Sequence, residues 1–253
     1  MKDQSAPAPT DQKDSMNLAE HLLELRRRVV HSLIAIGLAF AVIFPFARHL
    51  YDLLAQPILK FMPEDGGIIA TEVAAPFLIP IMLTFYAALF VTMPYLLLQI
   101  WRFIAPGLYR GEKKIALPLL LSSIALFYAG ATFAWFVVLP GVFEFLLKFA
   151  PDTVTPMTDM NHYLSFVTKL LLVFGFTFEI PVAVLILVLS GVVSVAALKD
   201  KRRYVIVGCF FIAAVVTPPD GVSMLLLAIP MWLLYEIGML IAGFIKNSNS
   251  KLD

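Results

Sequence analysis

The chain has 253 residues, of which 60% are hydrophobic and 15% charged, with a formal net charge of +1. A water-soluble domain that apolar could not cover itself with polar surface, so the bilayer is the expected solvent. The near-neutral balance selects no nucleic-acid partner, and the lone Cys209 forms no internal disulfide and reads as a buried thiol.

The first 25 or so residues are polar, rich in Pro, Asp and Gln, and lack the basic start and early apolar core of a signal peptide. Residues 1–16 are expected to be a disordered tail, followed by a membrane domain over 17–245 and a second tail over 246–253. The stretch His21-Leu22-Leu23-Glu24-Leu25-Arg26-Arg27-Arg28 leads into the first apolar span, Val29–Ala47. Glu24 and Arg28 stand four residues apart, the spacing at which helical side chains pair.

Beyond that span, Leu50, Leu53, Leu54, Ile58 and Phe61 suit a short helix on the outer interface, broken by Pro57. The second span is Pro76–Trp101 and the third Ile115–Leu139, joined by a basic loop containing Glu112 among Arg110, Lys113 and Lys114. The fourth, from about Leu164 to Val193, contains "VFGFTFEIPVAV", where Glu179 has no neighbouring cation. A charge at bilayer depth costs about 2.5–3.5 kcal/mol, so Glu179 must face protein or water. Either a hydrated pocket or an interhelical hydrogen bond would satisfy it. The fifth span, Tyr204–Thr217, stops at Pro218-Pro219-Asp220-Gly221, and no helix continues through two prolines. A tight hairpin should lead into the sixth span, Val222–Ile245, which contains Glu236. The expected fold class is all-α: a polytopic membrane protein with six transmembrane helices, the last two short.

Charge distribution tests the count. All 19 cations except Arg48, Lys60, Lys148 and Lys169 fall in clusters separated by pairs of apolar spans. The positive-inside rule then puts both termini in the cytoplasm. No phosphate-binding glycine loop, H-E-x-x-H or G-x-S-x-G is present, and His21, His31, His49 and His162 lie in different segments. Neither an enzyme nor a cofactor or metal site is expected. Residues 29–140 and 164–245 show no internal repeat, which counts against an inverted-repeat transporter. A proton-coupled small-molecule transporter using Glu179 as a relay remains the alternative.

Four motifs, "HLLELRRR", "QIWRFIAPGLYRGEKK", "FGFTFEIPV" and "TPPD", occur in one order across the six spans. Together they resemble the TatC family, the multispanning core subunits of the twin-arginine protein translocase, over roughly residues 17–245. The resemblance implies a receptor component of the bacterial inner membrane, present in several copies among membrane lipids. It would bind twin-arginine signal peptides of folded cargo and work with the single-span TatA and TatB subunits, driven by the proton-motive force. The family's recognition carboxylates match Glu24 and Glu112, with Arg26, Phe103 and Pro106 shaping the same site. A guanidinium's planar fork is well matched to a carboxylate, which supports that assignment.

Glu179 and Glu236 match the family's intramembrane acids, the first facing a concave hydrated pocket. Thr217 and Asp220 match positions suited to docking partner spans, although capping the sixth helix is the plainer role for Asp220. The resemblance departs at Met224, which stands where many members carry Gln, and at Leu98 and Met82.

The topology is directly testable. Reporters fused after Lys114 and after Arg203 should face the cytoplasm, and reporters at Asp65 and Asp152 should face outward. An outward reporter after Lys114 would sink the six-span arrangement.

Overall fold

The computed structural model describes residues 9–59, 67–104, 116–148, 157–217 and 220–249. Helix α1 (Pro9–Ile43) starts inside the stretch expected to be a disordered tail. A 3-10 turn, Phe44–Phe46, carries Pro45 and redirects the chain into α2 (Ala47–Leu59). Pro57 falls in the last turn of α2 and does not break it, so the expected interruption is absent.

The second span is α3 (Ala75–Ile104), with Pro80 and Pro94 inside it. Proline removes the donor for the carbonyl four residues earlier, and lipid supplies no replacement. For Pro94 that carbonyl belongs to Phe90, and the Tyr128 hydroxyl donates to it at 2.9 Å. Tyr128 sits on α4 (Ala116–Phe133), so one proline defect becomes a bond between two spans. A π turn, Ala134–Val138, follows directly, and the helix resumes as α5 (Leu139–Lys148). The third span therefore continues past its expected end at Leu139.

The fourth span divides. Helix α6 (Met160–Thr177) and helix α7 (Ile180–Leu189) are separated by a turn at Phe178–Glu179. The cause is local, because Pro181 lacks an N–H for the preceding turn. Asp159 caps α6, accepting from the His162 backbone N–H at 2.9 Å. Asp159 also receives both the hydroxyl and the backbone N–H of Thr71. Those hydrogen bonds hold its carboxyl well below the usual carboxylate range. Beside it, β1 (Gly67–Ile69) and β2 (Met157–Asp159) pair in parallel, with Ile69 opposite Asp159. This small ribbon was not foreseen from sequence; it clips together the segments that precede the second and fourth spans.

A short helix α8 (Val195–Asp200), capped by Ser194, precedes α9 (Arg202–Val216) and α10 (Gly221–Asn249). At about 1.5 Å per residue, the 15 residues of α9 fall short of a hydrocarbon core of about 30 Å. The fifth span is thus short as expected. The sixth is not, since α10 runs for 29 residues through Pro230.

Helix α1 packs on α3, α4 on α6, and both α7 and α9 pack on α10. The largest core cluster joins Leu83, Leu139, Val142, Phe174, Leu227 and Met231, with Cys209 buried among them. Large apolar side chains face outward along the spans, including Leu38, Phe211 and Phe244. In water these would drive association, whereas in lipid the surroundings match them.

Three glycines set the closest helix approaches. A Cβ on Gly130 would stand 2.4 Å from the Phe174 carbonyl oxygen, and one on Gly175 would stand 2.6 Å from the Phe127 ring. A Cβ on Gly238 would lie 2.7 Å from Pro181 Cα. All three contacts grip the Phe174–Pro181 stretch, which includes the break between α6 and α7. Small residues at such crossings let membrane helices gain packing energy that lipid cannot supply.

Gly130→Ala and Gly238→Ala should therefore each lower stability by about 1–3 kcal/mol through overpacking against backbone. Gly208→Ala meets nothing within 4 Å and should leave stability unchanged or slightly higher. Thermal melting of the detergent-solubilised variants checks this, and equal melting of all three would contradict the close-packing account.

Candidate functional site

The N-terminal part of α1 crosses the C-terminal end of α3, where the basic clusters gather. Between them lies a cleft of about 290 Å³ lined by Glu24, Arg27, Arg28, His31, Tyr95, Gln99 and Arg102. Among the described residues that line it, Glu24 is the one carboxylate. Arg28 pairs with it at the expected four-residue spacing, with Nε at 3.1 Å from Oε1 and Nη2 on the same oxygen. Arg28 Nη1 also crosses to α3, 3.4 Å from Gln99 Oε1. Gln99 Nε2 in turn donates to the Tyr95 hydroxyl at 2.6 Å.

The cleft can present one carboxylate oxygen pair to a cationic fork. Neutral acceptors, the Gln99 side chain and backbone, lie beside it. Arg26 is exposed and stands outside the lining, and Phe103 is half-buried on the last turn of α3. Pro106 and Glu112 lie outside the described residues, so the pairing of Glu24 with Glu112 is not part of this geometry. Gln99 and Tyr95 went unrecognised as site residues in the sequence. Their signal was a polar pair four residues apart inside an otherwise apolar run, which fits one helical face.

The acids within the spans differ from one another. Glu179 lies at the α6–α7 break, half-buried, with one carboxyl oxygen enclosed and without a hydrogen-bond partner. The Ser123 hydroxyl of α4 lies beside its carboxyl. Ser123 also receives the Trp101 indole N–H at 3.4 Å, which links the end of α3 to this layer. Ser123 gave only a weak signal in sequence, one of two adjacent serines in an apolar helix.

Glu236, by contrast, is paired: Arg202 Nη2 at the start of α9 reaches its Oε2 at 2.5 Å. The neighbouring Tyr235 hydroxyl donates to the Leu198 carbonyl at 2.9 Å, so α8, α9 and α10 are locked at the basic end. Asp220 caps α10 through the Ser223 backbone N–H at 2.7 Å, which is its plainer expected role. Thr217 is buried and its hydroxyl returns to the Ala213 carbonyl. It borders a separate cavity of about 400 Å³ at the other end of the molecule, together with Asn161, Ser165 and Lys169 of α6. Among the described residues no three His, Cys, Asp or Glu side chains cluster in a way that could hold a metal.

Against this geometry, comparison with known proteins is informative. A family model described as Sec-independent protein translocase protein (TatC) matches residues 20–230. The Sec-independent protein translocase protein TatC of Azotobacter chroococcum mcd 1 is 49% identical over 240 residues, covering 95% of this chain and 94% of that protein. The Escherichia coli (strain K12) protein of the same description is 45% identical over 232 residues, covering 92% and 90%. A crystal structure described as the twin-arginine translocase receptor TatC superposes with a TM-score of 0.82 at 40% identity, covering 88% of this chain and 98% of that one. A chain of long apolar helices that the family model matches over residues 20–230, and that its relatives match along nearly its whole length, belongs to the TatC family of Sec-independent protein translocase proteins.

Proposed function

We propose that this chain is the receptor subunit of a twin-arginine protein translocase in a bacterial inner membrane, with both termini in the cytoplasm. It binds the paired arginines of signal peptides on folded cargo and works with TatA and TatB to pass that cargo outward. It is a translocase component and not an enzyme, and the proton-motive force drives the transport.

The single observation that carries this reading is the placement of Glu24. Its carboxylate lies in a cleft between two spans, at the basic end where a cytoplasmic peptide would arrive. A carboxylate there can accept two parallel N–H bonds from a guanidinium, a geometry that an ammonium cannot reproduce. Glu112 is the second acceptor in this reading, with Arg26, Phe103 and Pro106 shaping the approach. Glu179, with an enclosed and unpartnered carboxyl oxygen, offers a polar contact for a partner span inside the bilayer. Thr217 serves the same docking role nearer the outer end, whereas Asp220 and Glu236 hold helices together. The isolated position of Glu179 would equally suit a proton relay in a small-molecule transporter, but such a protein has no use for a Glu24 cleft.

Glu24→Ala should weaken binding of a twin-arginine peptide roughly tenfold to a hundredfold, since a charge-assisted hydrogen bond contributes about 1.5–3 kcal/mol. Glu112→Ala should act similarly, and each should shrink the preference for Arg-Arg over Lys-Lys peptides. Signal-peptide affinity measured for both variants checks this; weaker binding with an intact preference would reduce the two glutamates to general charge. For Glu179, export at equal membrane abundance should survive Glu179→Gln better than Glu179→Leu, because the amide keeps its hydrogen-bonding capacity in lipid. Wild-type export by the Leu variant would make the acid dispensable.

A further inference from the structure

Arg28 spends its whole fork inside the cleft. Nε and Nη2 meet one oxygen of Glu24, while Nη1 lies 3.4 Å from Gln99 Oε1 and 3.5 Å from the Gln99 carbonyl oxygen. Gln99 is buried and fixed in turn by the Tyr95 hydroxyl. An ordinary exposed pair at this spacing lacks such a third anchor and holds loosely. Here the Arg28 side chain is 20% exposed and that of Glu24 38% exposed. The carboxylate is therefore the more exposed partner of the two.

We propose that Arg28 is an internal competitor for the recognition carboxylate: it holds Glu24 as a signal-peptide arginine would, and an incoming arginine binds by exchanging with it. The proposal rests on the reading of Glu24 as that carboxylate and specifies what regulates it. The exchange is like for like, one guanidinium for another, so the carboxylate is never left bare beside apolar helices. Gln99 gives the displaced Arg28 a place to remain, because its two oxygens still accept from the outer arm. The competition also sharpens selection. A ligand must match a two-donor fork to displace Arg28, and a lysine ammonium offers only a point charge. Arg27 lines the same cleft but has no ion pair with Glu24, which provides an internal control for general charge.

The test measures affinity of the full-length protein in lipid nanodiscs for Arg-Arg and Lys-Lys signal peptides. Arg28→Gln should tighten binding about 2- to 5-fold, the scale of one partly exposed ion pair. It should also narrow the Arg-Arg preference, because lysine no longer has a fork to displace. Arg28→Lys, which keeps the charge and guards against misfolding of the neutral variant, should gain less. In a Glu24→Ala background the gain from Arg28→Gln should vanish. Three results would overturn the proposal. One is an equal gain from Arg27→Gln, which would mean bulk charge alone. Another is weaker binding by well-folded Arg28→Gln, which would make Arg28 a positioning residue. The third is a gain that persists without Glu24. Binding indifferent to Glu24→Ala alone is a separate result, and it would remove the reading of Glu24 itself.

Discussion

A peptide carbonyl that loses its helical partner inside a bilayer finds no water to replace it, and this chain sets prolines within its spans at positions 80, 94 and 230 and at the start of α7. Each unsatisfied group in hydrocarbon costs several kcal/mol, so the defects must be closed from within the protein. Pro94 shows how. The carbonyl it frees is taken by Tyr128 of the next span, which turns a helical fault into a tertiary tie. Pro181 leaves a turn in the fourth span, and that turn is where Glu179 stands. The same constraint that forbids irregular backbone in lipid thus decides where polar chemistry can be placed.

That placement also depends on how closely helices approach. Gly130 and Gly175 bring α4 and α6 together, and Gly238 brings α10 against Pro181. These contacts hold the interrupted segment on two sides, so the break is firmly located although Pro181 has no N–H to donate to the preceding turn. Glu179 comes to lie beside Ser123 of α4, which is tied through Trp101 to the end of α3. Glu236 illustrates the contrasting solution, since Arg202 neutralises it and the pair fastens α9 to α10.

At the basic end the physics changes, because Glu24 and Arg28 are only half-buried and Arg27 and Arg102 exposed, so their desolvation cost is modest. Among the described residues, the cleft between α1 and α3 gathers three arginines around one carboxylate. Helix α1 touches the rest of the described molecule mainly through α3, so the Arg28 bridge to Gln99 is also one of the polar ties between those two spans. Docking of α1 on α3 therefore relies on the same guanidinium that pairs with Glu24.

The sequence by itself determined the solvent, the approximate spans and the basic ends, because hydrophobic length and charge clustering are one-dimensional quantities that the bilayer reads directly. It also determined the Glu24–Arg28 pair and the Asp220 cap, since both partners lie within one helical turn. The short fifth span followed from Pro218-Pro219. Only the tertiary structure decided that Arg28 reaches Gln99 across 71 residues, that Arg202 neutralises Glu236, and that Ser123 faces Glu179. It alone produced the parallel ribbon between residues 67–69 and 157–159, and it carried α10 past its expected end. The physical reason is distance along the chain. Periodicity fixes which face of a helix is apolar, but not which neighbour that face meets, and a buried polar group acquires its character from that neighbour.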